Sequence, residues 1–154
     1  MTRKAGFTLL EIMVVVAILG ILGATALQFQ SKYRQRTTGS EATVMMKRLL
    51  QAEIMYFLAN EEFFPRAGES EIRVWQNGDP PSATDKQRVS AALNVEIPVG
   101  HLLDFRIYRD PLEPSGSPCT VEITAIPGVD IFPGGKGILG SVDKTGKTTV
   151  TLMP

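Results

Sequence analysis

What most limits the folds open to this chain is a run near its start. From residue 7 to residue 27 there are 21 residues and one charge, Glu11. As a helix rising about 1.5 Å per residue the run would measure about 31 Å, close to the hydrocarbon thickness of a bilayer. Arg3 and Lys4 precede it without an acidic neighbour, which puts the N-terminus in the cytoplasm and the rest of the chain across the membrane. A secretory signal would have a shorter apolar core, a small-residue cleavage site behind it, and no carboxylate inside the run. Unless paired, that carboxylate costs about 2 to 3 kcal/mol in the span, so Glu11 is a functional candidate by default. The plain alternative is a Glu near the end of the span that snorkels to the headgroups.

The motif Gly6-Phe7-Thr8-Leu9-Leu10-Glu11, followed by an apolar helix, resembles the N-terminus of prepilins of the type IV pilus and type II secretion families. The resemblance covers residues 1 to about 60 and is weak beyond. It implies that a prepilin peptidase cuts after Gly6 and methylates the new amino group of Phe7. The leader would then be residues 1–6, and Glu11 would occupy the position of the glutamate that the family needs for filament assembly. An assembly ATPase and an inner-membrane platform protein are further partners implied by the resemblance alone. So are a location in the bacterial inner membrane as precursor, with the N-terminus cytoplasmic, and then in a periplasmic or extracellular filament.

Within the span, Ala17, Gly20 and Gly23 recur every three residues, and Gly20 with Ala24 makes a small-xxx-small pair, so one stripe allows close approach of another helix. The same glycines are where the helix could loosen on leaving lipid. Many pilins carry a proline at the position held here by Gln28. From residue 29 to 60 the pattern turns amphipathic, with Ala42, Met45, Leu49, Ala52, Tyr56 and Ala59 at steps of three and four and Met46, Leu50 and Phe57 beside them. Residues 7–60 therefore read as one nearly continuous helix, roughly 80 Å long. Lys32, Arg34 and Arg36 form a basic collar just past the span.

With 154 residues and 44% hydrophobic content, there is room for one membrane helix and one modest head, residues 61–154. Phe63-Phe64-Pro65 ends the helix, in a segment that resembles the exit of many pilins and pseudopilins. A short strand over 71–76, containing Val74 and Trp75, precedes a loop over 77–81. Thr84 and Gln87 have capping-box spacing, which predicts a short helix to about residue 93 with Val89, Ala92 and Leu93 facing the head. After Gly100 the period becomes two, and 105–108, 120–126, 137–142 and 148–152 read as strands. The turn at 143–146 makes the last two a hairpin, with Val150 and Leu152 on a buried face. Prolines 111, 114, 118, 127 and 133 keep the earlier strands short. The expectation is an α+β pilin fold in which the second half of the long helix packs on a small antiparallel sheet of three to five strands.

Other function classes find little support. Charge is balanced at 16 basic and 16 acidic residues, and loss of Arg3 and Lys4 with the leader leaves 14 basic, which argues against nucleic-acid binding by a net positive field. Cys119 is the single cysteine and reads as a free, partly buried thiol; His101 is the single histidine. No metal-ligand spacing, cofactor motif or catalytic constellation is found. Gly134-Gly135-Lys136-Gly137 lacks phosphate-loop spacing. Asp130 and Asp143 flank that turn in a region where major pseudopilins bind calcium, without the dense run of Asp and Asn such a site needs. Not an enzyme but an assembly subunit is expected, binding other copies of itself or related pilins; the alternative is a minor pseudopilin of a secretion or DNA-uptake system acting as a tip or adaptor. If the cut follows Gly6, Gly6→Val leaves a precursor heavier by the six-residue leader. Intact-mass measurement checks this, and a wild-type filament protein that retains Met1 would refute it.

Overall fold

The computed structural model describes residues 8–66, 68–69, 71–74, 83–98, 102–109, 118–132 and 134–154; of Leu27, Gln28, Ser31 and Ala83 it describes only the backbone. The leader, Phe7, Trp75, the 77–81 loop, His101 and prolines 111, 114 and 133 lie outside the described residues. The chain forms two compact units, Met1–Arg34 and Gln35–Pro154.

In the first unit, helix α1 (Leu9–Asn60) begins. Its Leu9–Ala26 stretch has a mean hydropathy of 2.4 and none of it is buried, so by length and composition it can cross a membrane.

In the second unit, the later part of α1 packs on a five-stranded antiparallel meander: β1 (Ile72–Val74), β2 (Leu103–Arg109), β3 (Cys119–Ala125), β4 (Gly137–Val142) and β5 (Thr148–Met153), in that spatial order. Helix α2 (Ala83–Leu93) meets the sheet near β1. Helix α2 starts one residue before Thr84, which therefore sits in the first turn and not at the cap. Both helices stop on a left-handed residue that returns its N–H to the last turn: Glu61 to the Phe57 carbonyl at 2.8 Å and Asn94 to the Ser90 carbonyl at 3.0 Å.

Period-two alternation places one row of apolar residues across the sheet, Ile72–Ile107–Val121–Gly140–Val150, and a second, Val74–Phe105–Ile123–Ile138–Leu152. Against these rows α1 buries Ala42, Met45, Met46, Leu49 and Leu50, while Ala52, Tyr56 and Phe57 pack at the margin. Ala59, expected on the same face, is exposed because the chain turns inward two residues later and Phe63 and Phe64 take that space. Phe63 stacks on Phe57 at 4.6 Å and Phe64 meets Tyr56 edge-on at 5.8 Å.

One expectation fails at the last strand. Val150 and Leu152 close the two inner rows but are 49% and 64% exposed. The reason is width: a helix about 10 Å across covers two or three strands spaced about 4.8 Å apart, and a fifth strand lies beyond it. The opposite face of the sheet is polar, with Arg106 bonded to Glu71 at 2.6 Å and to its cross-strand partner Glu122 at 3.3 Å.

Helix and sheet approach most closely at Gly140, where a β-carbon would collide with the Met46 sulfur and come within 3.1 Å of Leu50 Cδ1. Gly140→Val should therefore lower head stability by about 1 to 3 kcal/mol through overpacking. Thermal melting checks this. Adding Met46→Ala should give part of the loss back, and a double variant that loses the sum of the two single losses would contradict the contact.

Candidate assembly site

Helix α1 begins at Leu9, and the residue before it, Thr8, supplies its cap. Glu11 N–H donates to Thr8 Oγ1 at 3.2 Å, while Glu11 Oε2 accepts from both the Thr8 N–H and the Thr8 hydroxyl at 3.1 Å. This is a reciprocal capping box, built from Thr at the cap and Glu three residues on. It gives the one carboxylate of the apolar run two local donors and sets its negative charge where the helix dipole favours it. The spacing Thr8-x-x-Glu11 carries the signal in the sequence, but the apolar run around it draws attention to the cost of the charge and away from the hydroxyl that answers it. Thr8 is thus the residue that sequence reasoning missed. Gly6 and Phe7, the expected cleavage pair, lie outside the described residues.

Further along the helix, Ala17, Gly20, Gly23 and Ala24 are all exposed, and a β-carbon at Gly20 or Gly23 would meet nothing within 4 Å. The stripe is open surface in the single chain, available to a partner helix. Around it Ile12, Met13, Val16, Leu19, Ile21 and Leu22 are more than half exposed, so the whole cylinder is apolar and uncovered. Lys32, Arg34 and Arg36 are solvent-exposed.

In the head, the residues flanking the glycine-rich turn have structural partners. Asp130 accepts from the Gln35 side chain at 3.1 Å, and Asp143 Oδ1 closes the β4–β5 turn by accepting from Thr145 N–H, Thr145 hydroxyl and Lys147 N–H at 2.9, 2.6 and 3.0 Å. The Thr145 hydroxyl in particular holds the Asp143 carboxyl below its ordinary range. The two aspartates sit at opposite ends of β4, about 20 Å of strand apart, and do not form one site. Among the described residues no group of three or more His, Cys, Asp or Glu could hold a metal ion. Cys119 is fully buried, more so than expected, on the inner face of β3.

Residues 1–27 match the family model for the prokaryotic N-terminal methylation motif. The type IV major pilin protein PilA of Myxococcus xanthus is 40% identical over 67 residues, 44% of this chain and 30% of that protein. A type IV major pilin protein of Neisseria gonorrhoeae, PilE, is 39% identical over 69 residues, 45% of this chain and 41% of that protein. A fimbrial protein of Neisseria meningitidis serogroup B is 40% identical over 62 residues, covering 40% of this chain and 36% of its own length. The matches thus span well under half of each relative. No solved structure matches the chain. The chain thus carries the prokaryotic N-terminal methylation motif at its start and, over somewhat less than half of its length, is similar to type IV major pilins, with a long apolar N-terminal helix followed by an α+β head.

Proposed function

We propose that this chain is the structural subunit of a type IV pilus-like filament, held in the inner membrane as a precursor, cut between Gly6 and Phe7, methylated on Phe7, and polymerised by packing of its N-terminal helix. The observation that carries this reading is a helix apolar on every side whose one carboxylate, Glu11, is capped by Thr8 at the end where cleavage would expose an amine. That amine is a positive charge at a helix N-terminus, where the dipole disfavours it. A carboxylate has lone pairs for several donors, so Glu11 can keep the Thr8 bonds and still receive a cation. In a growing filament, Glu11 of an incorporated subunit takes the free amine of the incoming one and sets its axial register. The stripe of Ala17, Gly20, Gly23 and Ala24 lets the two helices close.

Arg3 and Lys4 orient the precursor with its N-terminus in the cytoplasm, where the prepilin peptidase would act, and an assembly ATPase and platform protein would drive extraction from lipid. The relatives named as major pilins favour a pilus subunit over an adaptor of a secretion system. The head would act as a scaffold and not as a catalyst.

Charge and not size is what Glu11 contributes on this account. Glu11→Gln should leave membrane insertion and processing intact and cut the yield of sheared filaments at least tenfold, about 1.4 kcal/mol or more of lost contact. Immunoblots of membrane and sheared fractions measure both; a wild-type filament yield would show that the carboxylate only snorkels.

A further inference from the structure

Where the chain leaves α1 it turns into the core, and Phe63, Phe64 and Pro65 are all buried. A buried irregular segment must have its backbone groups satisfied by something, and here side chains supply the bonds. Glu53, on the sheet-facing side of α1, accepts the Phe64 N–H on Oε2 at 3.0 Å. Cys119, on β3, donates its thiol to the Phe64 carbonyl at 3.3 Å. Arg109, directly across from Cys119 on β2, donates to the carbonyls of Phe63 and Pro65 at 3.3 and 3.5 Å. One helix residue and two strand residues thus grip three consecutive exit residues.

The grip leaves two buried polar atoms without a partner, Glu53 Oε1 and Arg109 Nε. Glu53 is fully buried, so a charged carboxylate there would lose its hydration and gain little in return, the Phe64 N–H foremost, with smaller help from the Cys119 side chain and Arg109. The groups facing it are Cys119 from β3 and Arg109 from β2, with Glu62 of the exit segment 3.9 Å from the Arg109 guanidinium. The guanidinium is directed at the two carbonyls and at Glu62.

We propose that Glu53 is a protonated latch: as a neutral acid it pins the exit segment of residues 61–66 to the sheet, and loss of its proton releases that segment. Ionised Glu53 would draw the Arg109 guanidinium off the Phe63 and Pro65 carbonyls or admit water, and either dismantles the grip. Burial pushes the Glu53 carboxyl up from 4.5 to about 8, against the smaller opposing pull of the Phe64 N–H, the Cys119 side chain and Arg109. Since the proton is held more tightly folded than unfolded, the latch contributes fully below about pH 4.5. Its contribution declines as pH rises from there and is gone above about pH 8. Burial pushes the Cys119 thiol well above its ordinary range, so it does not titrate in this window.

The test uses the full chain in detergent micelles, melted from acid to alkaline pH, with trypsin cutting after Arg66 as a second readout. Wild type should lose on the order of 10 °C in melting temperature across the window, with trypsin cutting rising in parallel. Glu53→Gln should melt nearly independently of pH there and resist trypsin at the alkaline end, and Cys119→Ala should keep the wild-type pH response. A flat wild-type profile, or the wild-type slope persisting in Glu53→Gln, would overturn the latch. Should Glu53→Gln not fold, the wild-type infrared spectrum decides: a protonated carboxylic acid band at neutral pH that vanishes in alkali supports the latch, and its absence at neutral pH overturns it.

Discussion

Everything in the first unit depends on an apolar surface that its own chain does not cover. None of the Leu9–Ala26 helix is buried. At about 25 cal/mol per Å² of apolar area, water is an unsuitable neighbour for a cylinder of this size, which by length and composition suits lipid or an apolar partner. That requirement explains why a single charge in the run matters, and why it sits at the first turn with Thr8 as donor and the helix dipole behind it. On the proposed function, a chain built this way would have two satisfactory environments, bilayer and helix bundle, and the small-residue stripe would lower the cost of passing from one to the other.

The head meets a different constraint, the width of its sheet. Residues of α1 from Ala42 to Glu53 cover the inner rows of the middle strands, and Gly140 lets Met46 and Leu50 come down onto β4. Helix α2 covers the β1 side with Val89 and Leu93, while β5 is held by its ladder to β4 and by the Asp143 turn, not by burial. The junction between helix and sheet is closed by side chains, with Glu53, Cys119 and Arg109 each satisfying backbone groups of the exit segment. Such a junction is specific in geometry and sensitive to the protonation of its one buried acid.

Much of this was legible in the sequence, for identifiable reasons. A 3.6-residue period over α1 gave Met45, Leu49 and Leu50 as core, and a period of two gave β2 to β5, because each pattern is written by local geometry. Val150 and Leu152 misled because alternation shows which side of a strand a residue faces and not whether anything lies over that side. Glu53 could have been found: it falls on the apolar face, four residues after Leu49 and four before Phe57, where a carboxylate is out of place. What could not be read were its partners, since Arg109 and Cys119 reach it only through the β2–β3 register. At the candidate assembly site, Glu11 stood out by its charge, whereas Thr8, an ordinary residue for its surroundings, became visible only through its bonds.

The central claim is that the uncovered helix finds its final cover in copies of this same chain. Shearing surface filaments from producing cells and weighing their proteins by mass spectrometry tests it most directly. This chain should be the main component, in large excess over any other pilin, and filaments should vanish when its gene is deleted. Filaments that lack this chain, or a chain that stays wholly in the membrane fraction while filaments persist without it, would contradict the account.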